Sequence, residues 1–371
     1  MEQDLSARAL GLYIHIPWCI ARCPYCSFYA LPFSKAALER YYAVLLTHKA
    51  LIMPLIDRPL TSVYFGGGTP SLLSSEMIAK ITEGLPLSDD AEITLEVNPI
   101  QITEQWAKDF KESPINRISL GIQSMFDDEL VYLGRRHRAG DIPKKLDILK
   151  DHGFENISGD IIYGLPHSSS ARLSENLDHY LQLGLSHLSC YLLEIDPEGA
   201  LSADIPMIPD DEELEAQYRL IRHRLKSAGF MQYEISNFAH PGRESRHNML
   251  YWEGDDFLAL GASASGYFSG TRYQNPADLA AYRLQIASGR ALGDADPDQD
   301  QVADYIMMRM RLTAGLNLNE YRARFGRDFF ETREDAIRRM TEMGLLIHKD
   351  GILRLSSDAF FISNAVIGEL L

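Results

Sequence analysis

Cys19, Cys23 and Cys26 fall in the stretch HIPWCIARCPYC, and the 371-residue chain has one other cysteine, Cys190. Thiolates bind metals, and four cysteines in a chain this long are too few for a disulfide framework. Zinc sites take four ligands, commonly as two C-x-x-C pairs. The spacing C-x3-C-x2-C offers three. A [4Fe–4S] cubane held by three cysteines leaves one iron without a protein ligand, and an open iron is a site for chemistry. Cys190 shares strand parity with Leu188 and Leu192, which predicts an inert thiol in apolar packing.

The open iron can chelate the amino and carboxylate groups of S-adenosylmethionine (SAM), and an electron from the cluster would then split the sulfonium. Other residues suit such a pocket. YFGGGTP (64–70) sets Gly67, Gly68 and Thr69 at a strand end, where backbone can approach a ligand without Cβ interference. Glu96 and Gln123 are expected at the carboxyl ends of strands, where barrel enzymes place their chemistry. A carboxylate accepts from an ammonium or ribose hydroxyls, and an amide both donates and accepts. Arg135 in LGRRHR offers a donor fork for a carboxylate. Asp160 is expected to hold a ribose or orient Arg135. Taken singly, each could equally be a structural hydrogen bond; their shared parity and position make the set.

Six β-like runs must position these residues: 12–16, 62–67, 93–98, 117–123, 157–164 and 188–194. Helical patterns such as ALERYYAVLLTHKALI and QWAKDF separate them, which predicts βα units around a parallel sheet. The strands alternate. Ile118, Leu120 and Ile122 oppose Arg117, Ser119, Gly121 and Gln123, and Leu12, Ile14 and Ile16 oppose Tyr13 and His15. If the apolar set meets the helices, the polar set lines an open barrel around a polar ligand. The expected fold is therefore α/β: a partial (β/α)6 barrel over 1–200, an α+β extension over 201–295, and a winged-helix-like domain over 296–371. The last rests on two helical patterns followed by a hairpin with its turn near Asp350-Gly351.

The net charge is −16, the hydrophobic fraction 46%. That supports large cores and argues against a nucleic-acid-binding surface. The opening residues are too polar for a signal peptide, and no apolar run reaches membrane-spanning length, so a cytoplasmic location is expected.

LYIHIPWCIARCPYC, FGGGTPSLL, LEVNP, NRISLGIQS, LGRRH and DIIYGLP occur in order, and they resemble the radical SAM family of oxygen-independent coproporphyrinogen III oxidases (HemN-like) over nearly the whole chain. The resemblance implies that Cys19, Cys23 and Cys26 bind the cluster. It also implies that Tyr13, Tyr25, Gly67, Gly68, Thr69, Glu96, Gln123, Arg135 and Asp160 contact SAM. Two features point to the HemW-like branch. Phe28 stands where the oxidase carries a further essential cysteine, and only 12 residues precede Tyr13, whereas the oxidase has a long N-terminal extension. RHNMLYW (246–252) resembles the H-N-x-x-Y-W motif of that branch, whose members bind heme and act as heme chaperones. On this likeness His247 would ligate heme iron, with Asn248, Tyr251 and Trp252 around the macrocycle. On chemistry alone the same residues suit a surface turn packed on the barrel mouth. Ser265 replaces a histidine common in the family.

The implied partners are heme or a related tetrapyrrole, a heme-receiving client, with peripheral membrane association through it, and an electron donor such as a flavodoxin or ferredoxin. Two rivals stay open: catalytic decarboxylation of coproporphyrinogen III, and a radical SAM reaction on RNA or a small metabolite.

Overall fold

The computed structural model describes residues 8–371; the polar opening segment 1–7 lies outside the described residues. β1 (Leu10–Ile16) runs into the cysteine loop, whose ends are tied together by the short parallel pair β2 (Trp18–Cys19) and β3 (Leu31–Pro32). α1 (Lys35–Ile52) follows. The βα unit then repeats as β4 (Leu60–Gly67) with α2 (Ser75–Thr82), and β5 (Leu87–Val97) with α3 (Glu104–Lys111). Next come β6 (Arg117–Gln123) with α4 (Asp127–Tyr132) and α5 (Ile142–Asp151), β7 (Ile157–Tyr163) with α6 (Ser170–Gln182), and β8 (His187–Leu192) with α7 (Asp211–Ser227). Ser34, Ser74, Thr103, Ser169 and Asp210 cap the N-termini of α1, α2, α3, α6 and α7, satisfying amides that the helices cannot pair themselves.

β1, β4, β5, β6, β7 and β8 pair in parallel in that order, giving the predicted partial barrel. The sheet continues at both margins. β9 (Met231–Gln232) and β10 (Asn237–Ala239) add antiparallel beside β8. After α8 (Arg246–Glu253), β11 (Asp256–Leu260) pairs in parallel with β1. β12 (Ser265–Phe268) and β13 (Thr271–Gln274), then, past α9 (Leu279–Ala287), β14 (Asp294–Ala295), extend it antiparallel. Segment 201–295 therefore builds no sheet of its own. An unclosed barrel has two edges with unpaired backbone groups, and this segment covers both.

The remainder comprises α10 (Gln301–Arg311), β15 (Leu316–Asn317), α11 (Leu318–Phe325), α12 (Glu334–Glu342), β16 (Leu346–Lys349), β17 (Ile352–Leu355) and α13 (Ser363–Gly368). β15, β17 and β16 form an antiparallel wing beside the helices, and its hairpin turns at Asp350 and Gly351 with φ of 53° and 75°. Two positive φ values match the turn that suits hairpin twist. Among the described residues no helix is long and apolar enough to cross a membrane.

The alternation behaves as read from the sequence. Leu12, Ile14, Ile16, Val63, Phe65, Leu95, Ile118 and Leu120 are buried in the main apolar core. The opposite parity supplies His15, Ser62, Glu92, Thr94, Arg117, Ser119, Ser158, His187 and Ser189, which are also buried. A barrel with both faces covered and one of them polar needs partners inside, and it supplies most of them, while Arg117 Nε, Arg135 Nε and His247 Nε2 stay without a hydrogen bond. Near the N-terminal strand ends, Arg117 pairs with Glu92 at 3.7 Å, and His187 bonds Ser158 Oγ at 2.7 Å and the Tyr233 hydroxyl at 2.8 Å.

Candidate cluster and cofactor site

The cysteine loop leaves the C-terminal end of β1 and is anchored from beneath. Trp18 is buried edge-on against Tyr41 at 4.7 Å, and the Tyr41 hydroxyl donates to the His15 carbonyl at 2.8 Å. A tight turn follows, with Cys26 N donating to Cys23 O at 3.1 Å. Cys19, Cys23 and Cys26 are free and half-buried, whereas Cys190 is fully buried in the core, as its parity predicted. Burial pushes the Cys190 thiol well up, so it has no thiolate to offer a metal.

Among the described residues no three side chains of the metal-binding types gather tightly enough to share a single ion. Two groups already address the loop: Thr69 Oγ1 donates to Cys19 Sγ and Arg135 Nη1 to Cys23 Sγ, each at 3.5 Å. Such donors suit sulfurs that become anionic on binding iron.

Beside the loop, Gly67 adopts φ +112°, and a Cβ there would strike the His15 ring at 2.7 Å. The freed Gly67 amide donates to Glu96 Oε2 at 3.2 Å, and the Tyr64 hydroxyl donates to Glu96 Oε1 at 2.9 Å. Glu96 is nevertheless so buried that its carboxyl is pushed up to about 7, and burial likewise raises Asp160 to about 6. Two desolvated carboxyls in one lumen are poised to receive donors from a polar ligand.

Gln123 closes β6 with φ of +72°, at a break in the β6–β7 register between Leu120 and Gln123. A bulge with a left-handed residue re-aims the side chain, so its placement beside Gly121 and Arg135 depends on more than alternation. Arg135 Nη2 donates to the Gly121 carbonyl at 2.8 Å, and its buried Nε has no partner. An unpartnered guanidinium N–H next to a cysteine sulfur fits the carboxylate of a cofactor chelated at the open iron. The Arg135 guanidinium bonds Gly121 and Cys23 and Asp160 is bonded by Ser189, so Asp160 acts on Arg135 through charge and not through a hydrogen bond. Tyr25 packs with Leu133, Ile162 and Leu165 at the rim. Gly68 presses on the Trp18 backbone, which holds the glycine turn against the cysteine loop.

Tyr13, His15, Tyr64 and Ser189 complete the lumen. Tyr64 precedes the three glycines and is not among the expected contacts, yet its parity with Ser62 and Gly66 on β4 marks it as inward-facing.

The four residues assigned to heme lie elsewhere. α8 crosses the N-terminal end of the barrel. Gly11 lets it approach, since a Cβ there would meet Leu250 Cδ1 at 2.4 Å and His247 Cε1 at 3.2 Å. His247 is 1% exposed, with Nδ1 bonded to Ser62 Oγ at 2.8 Å and its ring stacked on Tyr64 at 5.2 Å. Tyr251 packs on Phe257 at 4.5 Å, Trp252 lies beneath the Arg311 guanidinium at 4.7 Å, and the Asn248 backbone N–H donates to the Ser245 hydroxyl that caps α8. The reading of this stretch as a surface turn packed on the barrel mouth is corrected, since it is a helix at the other end; His247 Nε2 has no partner but is buried, so heme ligation there would require α8 to move. The helix plugs the base of the barrel, and its ring nitrogens face inward. Ser265 lies exposed at the start of β12.

Residues 13–180 match the Radical SAM superfamily model, and residues 296–362 match the HemN C-terminal domain. The heme chaperone HemW of Mycobacterium tuberculosis is 32% identical across 99% of this chain and 96% of its own. HemW of Bacillus subtilis is 30% identical, with 97% and 98% covered. Among solved structures, the coproporphyrinogen III oxidase HemN from Escherichia coli superposes with a TM-score of 0.84 at 20% identity, covering 99% of this chain and 92% of that one. A fold so closely shared, a matched radical SAM segment and whole-length kinship at this identity lead to one assignment: the chain belongs to the HemN/HemW-like family of the radical SAM superfamily.

Proposed function

We propose that this protein is a heme carrier of the HemW type, in which a SAM-bound [4Fe–4S] cluster accompanies heme binding and transfer to a client protein. Cys19, Cys23 and Cys26 would hold the cluster, Arg135 the SAM carboxylate, and Glu96, Gln123 and Asp160 its amino and ribose groups. When bound, the cluster and SAM together supply a one-electron cleavage of the sulfonium bond.

The observation that carries the carrier reading is at Phe28. Two residues beyond the last cluster cysteine, where the oxidase pattern calls for a thiol, the chain presents a phenyl ring 66% exposed. Ile20, Phe33, Ile205 and Met207 are also exposed and lie in segments that follow the C-terminal ends of β1 and β8. An apolar rim of this kind suits a flat macrocycle held loosely enough to be passed on. The names of the whole-length relatives favour the same reading. An electron donor such as a flavodoxin or ferredoxin would reduce the cluster through this exposed end.

The test is an anaerobic heme titration of cluster-loaded protein, followed by absorbance with and without SAM, and then mixing with an apo heme protein. Saturable binding and net transfer are expected, with binding weakened by Phe28→Asp. Protoporphyrinogen formation from coproporphyrinogen III at catalytic turnover would overturn the carrier reading in favour of the oxidase.

A further inference from the structure

The plug at the base of the barrel is in physical contact with the cofactor end through side chains that alternate along β1, β4 and β5. The His247 ring lies on Tyr64 with 25° between their planes, and on Tyr13 with 26° at 6.2 Å. Tyr64 passes directly to the cofactor layer, because its hydroxyl is the donor to Glu96 Oε1. Tyr13 does the same on the neighbouring strand through a 3.0 Å bond to His15 Nδ1, and His15 Nε2 is held by the Tyr29 carbonyl in the cysteine loop. Ser62 fixes the His247 ring from the side, and Ser245 caps the helix that carries it.

We propose that His247 is a positioning residue for the SAM site: by stacking on Tyr64 it fixes the hydroxyl that orients Glu96, so α8 and SAM are coupled across the barrel. This rests on the reading that Glu96 receives SAM. It assigns the histidine of the H-N-x-x-Y-W stretch a role other than iron ligation, in keeping with a ring that has no solvent-facing nitrogen. Coupling of this kind is reciprocal, so whatever displaces α8 weakens SAM binding, and SAM tightens the seating of α8.

The test uses full-length, cluster-loaded protein, with SAM affinity read from the SAM-induced change in the electron paramagnetic resonance spectrum of the reduced cluster. Glu96→Gln reports on the site itself, and cluster content and melting temperature are recorded for every variant. Tyr64→Phe and His247→Ala are each expected to weaken SAM binding by about tenfold, the size of one lost hydrogen bond to a charged acceptor. Combined, they should cost little more than either alone, because one acts through the other. His247→Phe paired with Ser62→Ala keeps the stack without stranding a hydroxyl, so it should retain affinity within about threefold; it also serves if the alanine variant folds poorly.

If Glu96→Gln loses SAM while His247→Ala and the stack-preserving pair both bind it like the wild type, the coupling is refuted. If Glu96→Gln binds SAM normally, the underlying site reading fails and the coupling with it. Heme titration of the same His247 variants adds a further outcome: loss of heme with SAM affinity intact would overturn the positioning role, and unchanged heme binding would support it.

Discussion

Replacing Glu96 with glutamine makes a quantitative prediction about folding as well as about SAM. Burial raises the carboxyl from the ordinary 4.5 to about 7, against the hydrogen bonds from Tyr64 and Gly67 that favour its ionised form. The folded chain therefore holds that proton more tightly than the unfolded chain does. The stability this contributes is complete below about pH 4.5 and is lost as the pH climbs through about 7. At about 1.36 kcal/mol per pH unit, the interval amounts to about 3 kcal/mol. Glutamine cannot ionise, so the stability of Glu96→Gln relative to wild type should rise by about 3 kcal/mol between pH 4.5 and 8. Asp160, itself raised to about 6, is present in both proteins and cancels to first order. Urea denaturation of the cluster-free proteins across this range measures the difference directly. In cluster-loaded protein the same variant should bind SAM at least tenfold more weakly, about the value of a charged hydrogen bond. Wild-type affinity should also fall as pH drops below about 7, while the variant stays flat. Parallel stability curves for the two proteins would refute the reasoning, because they would mean Glu96 is ionised at no cost.

Other outcomes follow from the same geometry. Alanine at Cys19, Cys23 or Cys26 should abolish the visible absorbance of the reconstituted cluster, whereas Cys190→Ala should leave it intact, as iron and sulfide analysis will show. Arg117→Met leaves the buried Glu92 carboxylate without its ion-pair partner, keeping only the bonds from the Arg246 amide and Thr94, and should cost about 3 kcal/mol by urea unfolding, part of it recovered by adding Glu92→Gln. Ser245→Ala removes the acceptor for the Asn248 amide and should lower stability by about 1 kcal/mol, with a small loss of SAM affinity from a looser α8.

The local signals in the sequence were strong where local physics decides. β6 spans Arg117–Gln123 as expected because its alternation is uninterrupted, and the wing turn followed from Asp350-Gly351. The cysteine spacing needed no partner elsewhere in the chain. What escaped the sequence depends on distant contacts. The seating of His247 is decided by Ser62, and by a glycine at position 11 that leaves room for the helix. The motif showed aromatic and imidazole chemistry but could not show which end of the barrel the helix would meet. Across the Gly- and Ser-rich run 258–275, β11, β12 and β13 are only four or five residues long, too short for alternation alone to separate them. Gln123 had the right parity, but the bulge beside it, which fixes its direction, is a feature of the β6–β7 pairing.

The position of β1 has a consequence for how the chain is made. This strand carries the cysteine loop, yet it lies inside the sheet, paired on one side with β4 and on the other with β11, which is built from residues 256–260. A ribosome releases the cysteine loop first, but one flank of its supporting strand stays bare until more than two-thirds of the polypeptide has been synthesised. Until then the nascent chain exposes an apolar ribbon open to mispairing. The sheet beneath the cysteine loop is therefore complete only once β11 has been made, late in the synthesis of the chain.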